Sequence, residues 1–267
     1  CSIYSNPHIL TGVPSTHEFD NRLTNRWPTL FQYARAMGYK TQYLDAQENY
    51  LWNGLLAKDL DFVDVHLTVD DFSRTIYADK NAASYIHDQV TQSTGNFIVL
   101  NKMGMHVLYE NNYPPEEAIW LPTPVGFDYK ISSRVINAYD NAVHFNLESF
   151  FQTLMPGMEE IPNTFLIYTS DHGDTLQEKG ETWSHCHNTS PESKVPLFII
   201  GHLNTMPDTQ YEASHSNIMA TILDLMNVPQ ENRLHPYALS LLKSTHVSNS
   251  QRFYLDGNLN PVPYHSN

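Results

Sequence analysis

The sequence has few basic residues, very little cysteine and no long hydrophobic run. Lys and Arg number 15 against 29 Asp and Glu, so the 267 residues carry a formal net charge of −14. Nucleic-acid grooves and polybasic membrane patches both need clustered cations. This composition therefore argues against either partner. The longest apolar stretches, such as residues 196–200, are as long as a strand and too short for a membrane-spanning helix.

The two cysteines, Cys1 and Cys186, can form one disulfide or none, and the sequence alone does not distinguish these states. The first residue is not Met and no signal peptide precedes it, so we expect a processed or excised piece of a longer protein. Hydrophobic residues make up 41% of the chain, which is enough for a sizeable core. The 14 histidines are a surplus, and neutral histidine is the commonest metal ligand.

Helical and strand patterns alternate along the chain, without an internal repeat or a long linker. This organisation predicts one α/β domain over residues 1–267, with a mostly parallel sheet and helices on both faces. The predicted helices cover residues 30–38, 80–92, 134–155 and 214–229, and the predicted strands cover residues 39–45, 61–67, 96–102, 164–170, 195–201 and 251–257.

Two polar clusters follow predicted strands. "NKMGMH" begins where the strand at 96–102 ends, and "SDHGD" follows the apolar run at 165–168. In parallel α/β sheets, ligands bind outside the carboxyl ends of the strands. Both clusters therefore belong to the predicted site.

The second cluster has the composition of a metal site. Asp171 and His172 can converge on one ion if the chain turns there, and Gly173 permits such a turn. Oxygen and imidazole ligands without thiolate suit a catalytic Zn²⁺ site, or less well Mn²⁺. The alternative is a polar surface loop with incidental histidines. Further candidate ligands follow in the same segment: Asp174, His185 and His187.

His106 lies in a loop rich in Tyr, Asn and Pro after a buried strand, where a functional and a structural histidine are equally compatible with the pattern. His215, next to Ser214 at a helix start, is interpreted as structural. His87 and His144 are expected on helix faces.

Several segments, in order, resemble the alkaline-phosphatase/sulfatase superfamily and, within it, the phosphoethanolamine transferases that modify lipid A. "IYTSDHGDTLQEKGETWSHC" is similar to the family's "SDHGE" segment, and "LNKMGMHVLYENNYPPE" to its "MGSH" stretch. The other similar segments are "PTLFQYARAMGYKTQYLDAQ", "NAYDNAVHF", "ESKVPLFIIG" and "SHSNIMATILDLMNVP". The resemblance covers most of the chain and implies the alkaline-phosphatase/sulfatase fold.

The resemblance also implies roles for individual residues. Asp171 and His172 would be zinc ligands, Asp174 would stand where the family has Glu, and His185 would contact the phosphate or a second metal. The interval from Asp171 to His185 is slightly longer than in the family. His106 would match the second histidine of the "MGSH" stretch.

The family's nucleophile is a Thr at a helix start, where metal and helix dipole favour an alkoxide. Ser5 is preferred to Thr11 because it lies four residues after Cys1, as the family Thr follows a cysteine. Ser5 would then also be a metal ligand. The alternative is that both residues only cap a short helix.

Two departures from the family bear on the site. Asn101 replaces the first histidine of the "MGSH" stretch. The family's first strand, which ends in an acidic metal ligand, has no counterpart before Ser5, so we expect the domain to lack that strand and its membrane anchor.

The implied activity is zinc-dependent transfer of phosphoethanolamine from phosphatidylethanolamine to lipid A or another glycan, through a covalent Ser/Thr intermediate. The expected location is the periplasmic face of a bacterial inner membrane, with membrane contact through a segment outside this chain. The alternatives are a phosphodiesterase or sulfatase-like hydrolase, and an inactive, metal-poor homologue.

Overall fold

The computed structural model describes residues 1–15, 18, 20–49, 51, 54–125, 130, 132–177, 183–187, 189–234, 237–243, 253–255 and 260–263. The α-helices are α1 (Ser2–Thr11), α2 (Leu30–Ala36), α3 (Ala78–Gln92), α4 (Ser132–Leu154) and α5 (Ser216–Leu225). The strands are β1 (Lys40–Asp45), β2 (Val65–Leu67), β3 (Asn96–Asn101), β4 (Phe165–Thr169), β5 (Thr175–Leu176), β6 (Trp183–Ser184), β7 (Leu197–Gly201), β8 (Phe253–Leu255) and β9 (Pro261–Pro263).

The four predicted helices are confirmed as α2 to α5, with ends that shift by a few residues. Local signals explain the bounds of α2. The Gln32 side chain accepts a hydrogen bond from the Thr29 N–H at 2.7 Å, which satisfies one of the free donors at the helix start. Gly38, at φ +84°, adopts the left-handed conformation that takes the chain from the helix into β1.

The strands form separate sheets. β2, β1 and β3 are parallel in the order β2-β1-β3, with Leu44 opposite Leu67 and Leu100. β4 pairs with β7 in the antiparallel sense, and β5–β6 and β8–β9 are small antiparallel pairs. The predicted parallel sheet is therefore limited to three strands. The strand predicted over residues 195–201 runs antiparallel to its neighbour. Of the strand predicted over 251–257, only residues 253–255 lie within the described part of the chain.

The parallel sheet is covered on both faces. Tyr43 packs in a core with helices α2 and α5, which supply Phe31 and Met219. The next residue of β1, Leu44, points to the opposite face and packs with Ala82 of α3. This alternation explains why β1 is buried along almost its whole length.

The two larger sheets are separated by a cavity. Among the described residues, β3 is hydrogen-bonded to β1 alone and β4 to β7 alone. The cavity between them is lined by every residue of both strands, and none of these residues is fully buried. The predicted single sheet is divided here because no described strand joins β3 to β4. No helix among the described residues is both long and apolar enough to cross a membrane.

Candidate functional site

A cluster of histidine and carboxylate side chains lies at the end of β4. The chain leaves β4 at Thr169 and turns through residues 170–174, and the β5–β6 hairpin brings His185 back to this turn. His172, Asp174 and His185 offer ligand atoms that all lie within 4.8 Å of one another. The ring centroids of His172 and His185 are 4.4 Å apart. We call these three residues the His/Asp cluster.

Gly173 is required in this turn because of close packing. A Cβ atom at this position would lie 2.7 Å from the Pro191 carbonyl oxygen and 2.9 Å from that of Lys194. The Gly173 N–H also donates to the Glu192 carbonyl oxygen at 2.8 Å. The glycine therefore brings the turn against residues 191–194, which hold His172 and Asp174 in place.

The three histidines of the site share one hydrogen-bonding arrangement. Nδ1 faces an oxygen acceptor in each: the Gly173 carbonyl for His172 at 2.9 Å, the Asp174 carboxylate for His185 at 3.1 Å, and the Val107 carbonyl for His106 at 2.8 Å. These acceptors favour the tautomer with the proton on Nδ1, which leaves the Nε2 lone pair for a ligand. The structure brings His106 next to the cluster, with its ring centroid 5.5 Å from that of His185.

Asp174 is held as a carboxylate. Its Oδ2 accepts a hydrogen bond from the Tyr109 hydroxyl at 2.8 Å, and its Oδ1 faces Nδ1 of His185. Burial by itself would raise the pKa of Asp174, but these two hydrogen bonds, together with the charges of His185 and His172, outweigh burial and lower the pKa. Tyr109 is fully buried and lies outside the predicted site residues. Nothing in the local sequence connects it with a carboxylate 65 positions away.

Asp171 and Ser2 both lie at Nε2 of His172. Asp171 accepts a hydrogen bond from the His172 N–H at 3.0 Å, and its second carboxylate oxygen is 3.4 Å from Nε2. The Ser2 hydroxyl oxygen is 3.3 Å from the same Nε2. One imidazole nitrogen is therefore close to both a carboxylate and a hydroxyl.

The hydroxyl beside Nε2 of His172 is that of Ser2, and neither Ser5 nor Thr11 occupies this position. Ser2 is the first residue of α1, and Ser2, Asn6 and Ile9 line the cavity whereas Ser5 does not. Thr11, at the other end of the helix, is fully buried and donates to the Pro7 carbonyl at 2.6 Å. The spacing from Cys1 favours Ser5, whereas the structure has the Ser2 hydroxyl beside His172.

The remaining predicted polar residues lie around the cluster. His215 is partly buried and its desolvation lowers its pKa, while its Nε2 lies 2.9 Å from the Ser170 carbonyl oxygen of the turn. Asn101 donates to Asp45 at 3.0 Å. Nε2 of His187 lies 3.3 Å from the Trp183 carbonyl oxygen.

A buried ion pair holds the loop that leads to His106. The Asp79 carboxylate accepts hydrogen bonds from the N–H groups of Met103 at 2.8 Å and Gly104 at 2.9 Å. Lys102 lies 3.2 Å from the same carboxylate and 3.7 Å from the centroid of the Phe150 ring. Burial lowers the pKa of Lys102, and the carboxylate and the ring offset part of the cost of burying its charge.

Two further contacts join separate parts of the site. The Glu192 carboxylate accepts a hydrogen bond from the His187 N–H, at 3.1 and 3.2 Å to its two oxygens. Cys1 and Cys186 form a disulfide with their Cα atoms 5.0 Å apart, which resolves the two states that the sequence left open.

Comparison with solved structures shows the same fold in transferase domains. The C-terminal periplasmic domain of EcEptC from Escherichia coli superimposes with a TM-score of 0.75 at 17% identity, covering 98% of this chain and 78% of that one. The structure of that domain in complex with Zn gives 0.70 at 18% identity, with 97% and 78% covered. The soluble domain of lipooligosaccharide phosphoethanolamine transferase A from Neisseria meningitidis gives 0.66 at 18%, with 85% and 73% covered.

No curated protein sequence shows significant similarity to the chain. The Sulfatase family, in contrast, matches residues 1–228, a span that includes α1, the His106 loop and the His/Asp cluster. The resemblance found in the sequence segments is thereby confirmed. The chain belongs to the Sulfatase family and has the alkaline-phosphatase-like fold of periplasmic phosphoethanolamine transferase domains.

Proposed function

We propose that this chain is the catalytic domain of a zinc-dependent phosphoethanolamine transferase, with Ser2 as the nucleophile. The observation that carries the proposal is the 3.3 Å contact between the Ser2 hydroxyl and Nε2 of His172, a member of the His/Asp cluster. The donor would be phosphatidylethanolamine, and the acceptor lipid A or another glycan. One of the similar structures is a lipooligosaccharide phosphoethanolamine transferase, which supports this choice of substrates.

The residues of the cluster fit a divalent metal ion. Two imidazoles and a carboxylate, with no thiolate in reach because both cysteines are oxidised, are the donor set of an open catalytic zinc site. His172, Asp174 and His185 would hold the ion, with Asp171 and Ser2 beside them. When bound, Zn²⁺ lowers the pKa of a nearby hydroxyl and offsets negative charge on the phosphoryl group.

Ser2 is also favoured by its position in the helix. As the first residue of α1, it lies where the helix dipole and the free N–H groups of the first turn stabilise negative charge on oxygen. The Ser2 oxygen attacks phosphorus and releases its proton to solvent. The new Ser2 O–P bond replaces the bond to diacylglycerol, which leaves as an alcohol.

His106 and His185 would act on the phosphoryl group from the other side of the cluster. Their rings are 5.5 Å apart, so the two imidazoles can contact oxygens of one phosphoryl group. When Nε2 of His106 is also protonated, the imidazolium would supply the proton that diacylglycerol needs. In the second half of the reaction, the same nitrogen would take the proton of the acceptor hydroxyl. The acceptor oxygen then displaces Ser2 from phosphorus, in a ping-pong sequence.

The test is product analysis with phosphatidylethanolamine and lipid A supplied together. We expect diacylglycerol and phosphoethanolamine-modified lipid A by mass spectrometry, and a phosphoethanolamine adduct on the peptide that contains Ser2 after brief reaction without acceptor. Formation of free phosphoethanolamine without modified lipid A would show that the protein is a hydrolase and that the transferase assignment is wrong. If no donor is consumed in the presence of Zn²⁺, the proposal fails.

The setting of the reaction follows from the substrates. Similar structures are described as periplasmic domains, which supports a location at the periplasmic face of a bacterial inner membrane. Contact with the bilayer would be made by a segment outside residues 1–267.

Tyr109→Phe is expected to weaken zinc binding by about 10- to 100-fold, the usual effect of losing a partner that orients a metal ligand. The substitution removes only the hydroxyl that donates to Asp174 and keeps the buried ring. Competition with a chromogenic chelator measures the affinity. Tyr113→Phe is the matched control, because Tyr113 is also buried and has hydrogen-bond partners in Asn141 and Thr123, outside the cluster. Equal affinities in the two variants would contradict the role given to Tyr109.

A further inference from the structure

The disulfide joins two residues that flank functional side chains. Cys1 immediately precedes Ser2, and Cys186 immediately follows His185. The crosslink spans 185 positions of sequence and therefore connects two distant parts of the chain at the site itself.

Among the described residues, few hydrogen bonds hold the start of α1. The helix has no side-chain cap, and the Cys1 carbonyl accepts hydrogen bonds only from Tyr4 and Ser5, within the helix itself. Within the described residues, the one hydrogen bond from Cys1 or Ser2 to another part of the chain is the contact of Ser2 with His172. That contact is between the reacting groups, so it is lost when either group binds a ligand.

The other end of the crosslink, at Cys186, lies in a segment with unfavourable backbone conformations. Ser184 and Cys186, on either side of His185, adopt left-handed conformations at φ 83° and φ 67°. Residues other than glycine incur a conformational cost there, and such positions persist where surrounding contacts enforce them. The Thr175 hydroxyl bonds the Ser184 carbonyl at 2.7 Å, and Glu192 bonds the His187 N–H. Between these two contacts, the disulfide fixes Cys186.

We propose that the Cys1–Cys186 disulfide is a positioning crosslink that holds the Ser2 hydroxyl against the His/Asp cluster. The inference rests on the proposed function of Ser2 and the cluster. Disulfides persist in oxidising compartments, which agrees with the periplasmic origin of the similar domains. Reduction by a dithiol breaks the S–S bond, gives two thiols and converts the dithiol to its own disulfide. The start of α1 and the His185 loop then move independently.

The experiment compares wild type with the double variant Cys1→Ala/Cys186→Ala. The double variant removes both thiols, which could otherwise bind the metal themselves after reduction. We expect kcat for transfer to fall on the order of 100-fold, the effect of a small misplacement of reacting groups. KM for phosphatidylethanolamine should stay within about twofold of the wild-type value. The crosslink is proposed to position the nucleophile, and its loss should not weaken binding of the donor. The absorption spectrum of bound Co²⁺ should also change, because the position of His185 changes.

Val69→Ala is the control for stability. Val69 is buried in the core beside Leu44, away from the site, and its truncation destabilises the fold without touching α1 or the cluster. Both proteins are assayed at equal intervals below their own melting temperatures. An equal loss of kcat in Val69→Ala, or an unchanged Co²⁺ spectrum in the double variant, would overturn the inference.

Failure of this inference can be told apart from failure of the proposed function. If wild type transfers phosphoethanolamine and the double variant does so equally well, the positioning role alone is wrong. If wild type transfers nothing, the Co²⁺ spectrum still reports whether the crosslink positions the cluster. Reduction of wild type with dithiothreitol, followed by removal of the reagent and resupply of metal, should lower kcat, and reoxidation in air should restore it.

Discussion

Ser2→Ala is expected to abolish phosphoethanolamine transfer, with kcat lower by about 10⁴-fold or more, as when other covalent catalysts lose their nucleophile. The Ser2 hydroxyl is the one at the start of α1 and 3.3 Å from Nε2 of His172. Alanine removes this oxygen and leaves a good helix-forming residue at a position without a side-chain cap. The fold should therefore remain intact. The rate is measured as release of diacylglycerol.

Ser5→Ala is the matched control for Ser2→Ala. It makes the same chemical change one helical turn further along α1, at a residue that does not line the cavity. We expect its rate to remain within about threefold of wild type, as for a surface substitution with little effect on structure. A loss of activity in Ser5→Ala with retention in Ser2→Ala would reverse the assignment and restore the residue favoured by the spacing from Cys1.

His172→Ala and Asp174→Asn should each lose zinc. An open site with three protein ligands cannot keep a metal tightly once one ligand is removed, and even supporting residues around such a site contribute about 10- to 100-fold in affinity. We expect wild type to retain zinc through dialysis against a weak chelator and both variants to lose it. Elemental analysis of the dialysed protein measures the retained metal. Asp171→Ala, measured in the same way, tests whether the carboxylate beside Nε2 of His172 is a further ligand.

The control for these variants is His144→Ala. His144 lies half-exposed on α4, and its Nε2 is 3.1 Å from the Glu148 carboxylate. The substitution therefore removes one of the 14 histidines at a position outside the cluster. Zinc should be retained as in wild type. Zinc retained equally by His172→Ala would show that the His/Asp cluster is not the metal site, and a wild type that holds no zinc would support the inactive homologue.

The parts of the site that lie close together in sequence could be predicted from it. Asp171, His172 and Asp174 occupy one turn after the apolar run of β4, so their proximity follows from their spacing in the sequence. Tyr109 could not be found this way, because it reaches Asp174 only after the loop at 101–113 folds over the cluster. The proposal of Ser2 in place of Ser5 rests on the structure for a different reason. To choose among the hydroxyls of Ser2, Ser5 and Thr11, one must know where α1 starts and how it is oriented. Neither follows from composition.

The same distinction applies to the fold. Helices α2 to α5 follow from hydrophobic periodicity and end signals within each segment. The pairing of strands depends on the whole chain. An apolar run such as 195–201 has the same sequence pattern whether its neighbouring strand is parallel or antiparallel. The prediction of one mostly parallel sheet came from the alternation of strand and helix patterns, and in the described residues β3 and β4 do not pair.

The cavity between β3 and β4 leads us to expect self-association of this polypeptide in concentrated solution. Each strand has one edge whose N–H and C=O groups find no partner strand in the described chain, and both strands carry apolar side chains such as Ile98 and Ile167. Strand edges that lack a partner strand can serve as templates for pairing with other chains. Self-association of residues 1–267 would therefore begin at these edges, and both lead directly into the loops of the site. Aggregation and loss of activity would then have a common structural origin, distinct from global unfolding.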